Sequence, residues 1–441
     1  MGACAETPGL KPQTIRKIDS YLGKPACFVL TVWRRVVGLV WRRKLPAGGP
    51  KKILFIKMIE QGATVLAYRA LVRATEIVGR ENVYFWVFQE NREILDLLDV
   101  VPKENVIPLR AKRLLPFARD VIASLFRIRR LGIDATIDME FFARAPAILA
   151  FLTGARRRVG LHRFTSEGPY RGDLLTHRVQ YNPYLHTAVN YHLLVEALLR
   201  DPAERPLPKV PVPQADYMAP RFRPADEEAE VVRGIVRAQV GRELGGPLVL
   251  LNPNASDLLP LRKWATDRFV ELGRRILADH PDVTIGITGA PGERAAAEEI
   301  AAAIDPARAV NFAGHTTLRQ LLVLYALADV LVTNDSGPGH FSSMTDVDTV
   351  VMFGPETPAL FGPLGPHTHV LWSAIACSPC VNVLNHRFSP CNDNVCMQRI
   401  TVDDAVDKVR TVLAERARRG IALPVLAGPV VPAQDSGLRT H

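Results

Sequence analysis

VLVTNDSGPGHFSSM, residues 330–344, joins an apolar run of strand type to Asn334-Asp335 and then to a Ser-Gly-Pro-Gly turn that opens a helix. A helix N-terminus presents unpaired amides and the positive end of its dipole, so a strand, a glycine turn and a helix in this order can receive an anion. Ser336 and Gly337, with Gly339 and His340 behind them, are therefore candidates to approach a diphosphate, and Asp335 is a candidate to hydrogen-bond sugar hydroxyls. A capped turn with Asp335 as a local hydrogen-bonding residue is the alternative that the motif alone leaves open.

Working outward, strand-like runs at 248–251, 283–288, 308–312, 329–333 and 348–353 alternate with helical patterns at 265–279, 292–303 and 317–327. The same rhythm occurs earlier. ILFI at 53–56 is followed by a turn containing Gly62 and a helical pattern, then by strand-like runs at 83–88, 105–109, 133–138 and 158–161 among helical stretches. Short apolar strands alternating with helices predict parallel sheets covered on both faces, here two successive doubly wound α/β domains. Ligands of such sheets bind at the carboxyl ends of the strands, so the two domains should face a common cleft. The expected divisions are a basic segment over 1–50, a first domain over 51–215, a second over 216–400, a helix over 401–419 and a tail over 420–441, with a proline-rich crossing at 201–226.

The other strand ends of the second half also carry ligand-type residues. NPNASDLLPLRKW at 252–264 supplies Asn254, Ser256, Arg262 and Lys263, donors that suit phosphates, with Lys263 a mobile point charge and Trp264 placed to bury at the helix entry. In TGAPGERAAAEEI at 288–300, Glu293 opens a helix, where its carboxylate can accept ribose hydroxyls or simply cap its own helix. FAGHTTLRQLL at 312–322 adds Gly314 on the same side.

Composition sets limits. With 48% hydrophobic and 23% charged residues the chain is ordinary for a globular protein, and its net charge of +10 is concentrated at the start. Residues 1–52 hold eleven Lys/Arg against two acids, so the remainder is nearly neutral and has no basic stripe with interleaved aromatics, which disfavours a nucleic-acid partner. Between Val29 and Trp41, apolar residues at Val29, Val32, Trp33, Val36, Val37, Val40 and Trp41 share one helical face, with Arg34, Arg35 and Arg42 elsewhere. The uncharged run from Pro25 to Trp33 is far shorter than the ~20 residues of a membrane span. The reading is a cytoplasmic protein attached peripherally to the inner face of the inner membrane, with packing of this helix on the protein's own surface as the alternative.

NDSGPGH, FGPETPALFGPLGP, CSPC and CNDNVCM, in this order and preceded by ILFIKMIEQGATVLAYRAL, the Asn-Pro…Arg-Lys-Trp loop and the Gly-Glu helix start, resemble glycosyltransferase family 9, the lipopolysaccharide heptosyltransferase family. The resemblance covers about 53–415. It implies a GT-B fold and an inverting, metal-independent transfer from a nucleotide-sugar donor held mainly by the second domain. It assigns Asp335 to the donor sugar, Ser336 and Gly337 to the diphosphate, Lys263 to the leaving group and Glu293 to the ribose. One departure matters: the family usually has Gly-Asp after the first strand, with the Asp as presumed base, whereas here the pair is Gly62-Ala63. Inverting displacement still needs a group to take the acceptor proton. Glu60 in the same loop is the first substitute and Glu140 the second.

Cys377, Cys380, Cys391 and Cys396 form C-x2-C-x10-C-x4-C, a spacing that four thiolates of a structural zinc site could use. The resemblance includes cysteines here without requiring a metal, and no cofactor beyond the donor is expected. The leading function is sugar transfer, with heptose a candidate, to a lipid-linked or oligosaccharide acceptor. The basic Arg156-Arg157-Arg158 run and the 162–173 loop point to an acidic acceptor, with an exposed, solvated basic loop as the alternative. The alternatives are a catalytically silent nucleotide-sugar binder lacking the usual base, and a GT-B-like nucleotide-sugar epimerase or hydrolase.

Overall fold

The computed structural model describes residues 19–40, 45, 48–110, 114–242, 244–255, 259–385 and 387–419. Ser256, Trp41, Arg42 and the expected tail over 420–441 lie outside them. Among the described residues helix α1 (Gly23–Val40) precedes a first sheet built from β1 (Ile53–Ile56), β2 (Val83–Phe88), β3 (Val106–Leu109), β4 (Ala135–Asp138), β5 (Arg157–Leu161) and β6 (His177–Val179). Its interleaved helices are α2 (Gln61–Leu66), α3 (Tyr68–Val78), α4 (Glu93–Leu98), α5 (Leu114–Arg130), α6 (Arg144–Leu152) and α7 (Thr187–Ala197). After α8 (Asp226–Val240), a second sheet follows with β7 (Leu248–Asn252), β8 (Thr284–Ile287), β9 (Ala309–Asn311), β10 (Val330–Asn334), β11 (Asp348–Phe353) and β12 (Thr368–Trp372). Its helices are α9 (Thr266–Asp279), α10 (Arg294–Ile304), α11 (Leu318–Leu327), α12 (Gly337–Ser342), α13 (Pro358–Phe361), α14 (Val395–Gln398) and α15 (Val402–Arg418).

Both sheets are wholly parallel and have the same strand order, β3-β2-β1-β4-β5-β6 and β9-β8-β7-β10-β11-β12. The doubly wound architecture expected from the alternation is thus present twice. In each sheet the order reverses between the first and fourth strands, and the crevice there is where such sheets bind ligands. Ile56 lies opposite Asp138 at one switch point and Asn252 lies opposite Thr333 at the other.

Alternation along β1 explains the layers. Ile53 and Phe55 join a core with α3 and α7, whereas Leu54 and Ile56 face Tyr84, Trp86 and Ile128 on the opposite side. The first of these cores runs without a break into the second sheet, through Leu248, Leu250, Val351 and Phe353. The opposite face of that sheet is covered by α9, α10 and α15, with Trp264, Phe269, Val406 and Val409 buried.

Helix α1 leaves much of the apolar row noted in its sequence facing outward. Cys27 and Thr31 are buried against the first domain, and Arg34 is ion-paired with Asp173. Phe28, Val29, Val32, Trp33, Val36 and Leu39 are 45–84% exposed. Among the described residues no helix is long and apolar enough to cross a membrane.

Candidate active site

The carboxyl ends of the central strands bring together residues from both halves of the chain. Lys57, the residue after β1, is completely buried, with its Nζ 3.8 Å from Glu60 Oε2 and 3.7 Å from Glu140 Oε2. Burial pushes its ammonium below the usual lysine range, and Glu140 opposes that shift. Glu140 follows β4 and accepts the Met58 and Ile59 amide protons at 2.7 and 3.2 Å, so one oxygen is committed to holding the β1 loop. Its own amide donates to Asp138, which is paired with buried Arg171. Burial raises the Asp138 carboxyl to about 6, with Arg171 opposing it.

Glu60 leads from this cluster into the second domain. Its carboxylate pairs with Arg387, whose guanidinium also contacts Glu356 at 3.0 Å and lies over the Phe361 ring at 5.3 Å. Glu356 Oε2 is 3.3 Å from Arg262 Nη1, and that guanidinium is 3.5 Å from Asp335 Oδ2. A chain of alternating charge therefore runs from Lys57 through Glu60, Arg387, Glu356 and Arg262 to Asp335, joining both switch points. Burial raises the carboxyls of Asp335 and Glu356, the latter to about 8, while Arg262 pulls both down. The two carboxyls share one guanidinium, and the cluster of Lys57, Arg171, Arg262 and Arg387 against Asp138, Glu60, Glu140, Asp335 and Glu356 has one acid in excess. One retained proton balances it. Glu60 and Arg387 both have left-handed backbone, at φ 69° and 56°, a strain that residues other than glycine rarely accept outside functional sites.

Gly62 allows the two halves to meet. A Cβ placed there would stand 2.6 Å from His340 Cδ2 and 3.3 Å from Gly337 Cα, so the loop after β1 packs directly on α12. This contact buries His340, and burial lowers its imidazole to about 3, with smaller contributions from His186 and Arg262. His340 thus sits inside the domain contact. Gly339 is likewise buried in α12, while Ser336, at the start of that helix, hydrogen-bonds through Oγ to the Asn334 carbonyl at 3.1 Å.

The remaining sequence candidates line the second switch point. Asn334 fixes it, accepting the Trp264 amide proton at 3.0 Å and donating to the Pro253 and Asn254 carbonyls. Asn254 and Glu293 converge over Gly289, where a Cβ would lie 3.0 Å from Asn254 Nδ2 and 2.9 Å from Glu293 Oε2. Glu293 accepts the Ala290 amide proton at 2.7 Å, the local capping interaction that the sequence left open. Lys263 is exposed beside Arg262, and Trp264 is buried as anticipated.

Among the described residues no group of three or more Cys, His, Asp or Glu side chains is placed to hold a metal ion. All four thiols are free: Cys377 is exposed, Cys380 accepts from Ser389, and Cys391 donates to the Asp393 carbonyl. Cys396 is packed in the core near Met397, where burial pushes its thiol up to about 11, with smaller contributions from Cys380, Cys377 and Cys391. The segment also presents Arg387, whose amide donates to Asn382 while Asn385 ties down the Cys380 carbonyl. One expectation is corrected: the Arg156–Arg158 run is not an acceptor-facing patch. Arg156 is exposed, but Arg157 and Arg158 are buried and donate to the Gly48, Leu174 and Ala155 carbonyls.

The match to known proteins follows this architecture. The model of glycosyltransferase family 9 (heptosyltransferase) matches residues 123–387. The chain belongs to glycosyltransferase family 9. Lipopolysaccharide heptosyltransferase 2 of Salmonella typhimurium is 26% identical over 159 residues, 35% of this chain and 45% of that protein. Lipooligosaccharide heptosyltransferase 2 of Campylobacter jejuni serotype O:2 is 25% identical over 172 residues, 38% of this chain and 52% of that protein. The family 9 chain thus matches about half the length of these curated relatives. Among solved structures, E. coli ADP-heptose lps heptosyltransferase II superposes with a TM-score of 0.61 at 19% identity, covering 83% of this chain and 99% of that one. A family 9 glycosyl transferase from Veillonella parvula gives 0.62 at 16% identity, covering 85% and 99%. The fold is therefore GT-B, as the resemblance implied.

Lys57, Glu356 and Arg387 were absent from the sequence candidates. Two of them carried a signal: Lys57 directly continues the first buried strand, and Glu356 lies inside the FGPETP motif. Arg387 sits in irregular chain and had none.

Proposed function

We propose that this protein is an inverting glycosyltransferase that moves a sugar, with heptose the favoured candidate, from a nucleotide-diphosphate donor to a lipopolysaccharide-type acceptor. The observation that carries the reading is the charge chain from Lys57 to Asp335, which joins both switch points in a family 9 fold. In this reading the donor lies along the second domain. Asn254, Ser256 and Glu293 receive the nucleoside, Ser336, Gly337 and Gly339 flank the diphosphate, Asp335 meets the sugar, and Lys263 neutralises the leaving group. Helix α12 has His340 turned into the domain contact, so His340 positions the loop at Gly62 and does not touch the donor.

Glu60 takes the acceptor proton, standing in for the acid that Ala63 lacks. It is favoured over Glu140, which is occupied by two backbone amides. Glu60 is paired with Arg387 and lies 3.8 Å from Lys57 Nζ, so in this reading an acceptor hydroxyl takes the place of Arg387 at its carboxylate. No metal takes part in the proposed transfer. The exposed apolar side of α1, next to the basic N-terminal segment, supports attachment to the inner membrane face from the cytoplasm.

The test is turnover of a nucleotide-activated heptose with and without a truncated lipopolysaccharide acceptor, with the product anomer read by NMR. Acceptor-dependent transfer with inverted configuration, lost in Glu60→Gln, is expected. Release of free sugar without acceptor would support the hydrolase or epimerase reading, and wild-type inactivity with donor bound would support a silent binder.

A further inference from the structure

We infer that the cavity between α1 and the 162–178 segment is an anion site, which receives a phosphoryl group carried by the acceptor saccharide or by the lipid beside it. The inference rests on the proposed transfer to a membrane-borne acceptor. The cavity has a volume of about 270 Å³ and is lined by Arg35, His162, Arg163, Arg171 and Arg178, with Asp173 as its one acid. Two separate parts of the chain form its walls, because α1 contributes Thr31 and Arg35 while the loop after β5 and strand β6 contribute the rest.

The charge balance points to a missing anion. Asp173 is already shared by Arg34 and Arg178, with Arg35 Nε 3.8 Å away, so it does not neutralise the other arginines. Arg163 is held over the Tyr170 ring at 5.7 Å and donates to the Gly168 carbonyl, but has no carboxylate partner among the described residues. The cations act on one another: burial together with Arg205, Arg34 and Arg35 lowers the Arg178 guanidinium to about 10, and burial with Arg178, Arg171 and Arg205 lowers His162 to about 4 against the opposing pull of Glu167, whose carboxylate is held by the Phe164 and Thr165 amides. The Nε atoms of Arg171 and Arg178 have no hydrogen-bond partner, although Arg171 is only 3% exposed. A compact polyanion brings more charge and more acceptor oxygens to several guanidinium groups than the one carboxylate of Asp173 does.

Position selects the source. Arg171 also pairs with Asp138 at the end of β4, so the cavity shares a wall with the Lys57–Glu140 cluster. On its other side, α1 carries the exposed apolar row that would meet lipid. A phosphoryl group held here would lie between the membrane and the reacting hydroxyl.

The experiment titrates the full chain with inorganic phosphate, comparing wild type, an Arg35→Gln/Arg163→Gln double variant and Lys103→Gln, a change at an exposed lysine outside both sites. The expected result is binding that weakens about tenfold in the double variant and is unchanged in Lys103→Gln, with melting temperature preserved. No binding to wild type, equal binding by the double variant, or an equal loss in Lys103→Gln would overturn the assignment. Competition by glucose 6-phosphate would identify a saccharide phosphate. Recruitment to phosphatidylcholine vesicles containing phosphatidic acid, lost in the double variant, would identify a lipid headgroup, and either outcome supports the site. Phosphate binding that depends on the cavity in a protein that fails to bind any nucleotide sugar would remove the transferase reading and leave the anion site standing.

Discussion

Glu356→Gln should change how stability depends on pH. Glu356 is completely buried, and burial raises its carboxyl from the ordinary 4.5 to about 8, with Arg262 pulling it down and Asp335 pushing it further up. Across that window the folded protein keeps a proton that the unfolded chain has released. The group's contribution is therefore fully present below the unfolded value and is lost as pH rises through the folded one. At about 1.4 kcal/mol per unit, the ceiling is roughly 5 kcal/mol. The Arg387 guanidinium 3.0 Å away favours the charged form and reduces this, and about 2 kcal/mol is a reasonable working figure. Glutamine keeps the shape and has no proton to lose. Urea unfolding of both proteins at about pH 5 and about pH 8 should show wild type losing about 2 kcal/mol more than the variant. Losses that agree within about 0.5 kcal/mol would refute the buried-proton argument.

Three further outcomes follow from the same geometry. Gly62→Ala places a methyl 2.6 Å from His340 Cδ2, and calorimetric melting should register about 1–3 kcal/mol of destabilisation from overpacking. Glu60→Gln should lower kcat by about 10²–10⁴-fold with little change in melting temperature, whereas Glu140→Gln should lower the melting temperature because it weakens the hold on the Met58 and Ile59 amides. Phe28→Ser/Leu39→Ser, at positions 60% and 84% exposed, should leave stability unchanged but weaken co-sedimentation with anionic vesicles by about tenfold; equal sedimentation would argue against membrane contact by this face.

The fold was legible because each central strand is a short run of apolar residues buried on both faces, such as Ile53–Ile56 and Leu248–Asn252, spaced by helical patterns. The edge strands β6 and β12 escaped. His177–Val179 has only three residues, and Thr368–Trp372 is half exposed, so neither produces a continuous apolar run. Asp335 and Asn254 were legible from their positions at strand ends. The link from Glu60 to Arg387 was not, because it spans 327 positions and ends in a loop without periodicity. The Arg156–Arg158 run shows the opposite error: a basic triplet reads as a solvated patch, yet two of its members were buried by backbone carbonyls that no local pattern announces.

The central claim is that a nucleotide sugar is held at the second switch point, beside Lys263 and Asp335. Calorimetric titration of wild type, Lys263→Ala and Asp335→Ala with a panel of nucleotide sugars and free nucleotides tests it most directly. The account predicts that one nucleotide sugar binds wild type and that both substitutions weaken it by about tenfold or more. A folded wild type that binds none of the panel, or binding that both variants retain in full, would contradict it.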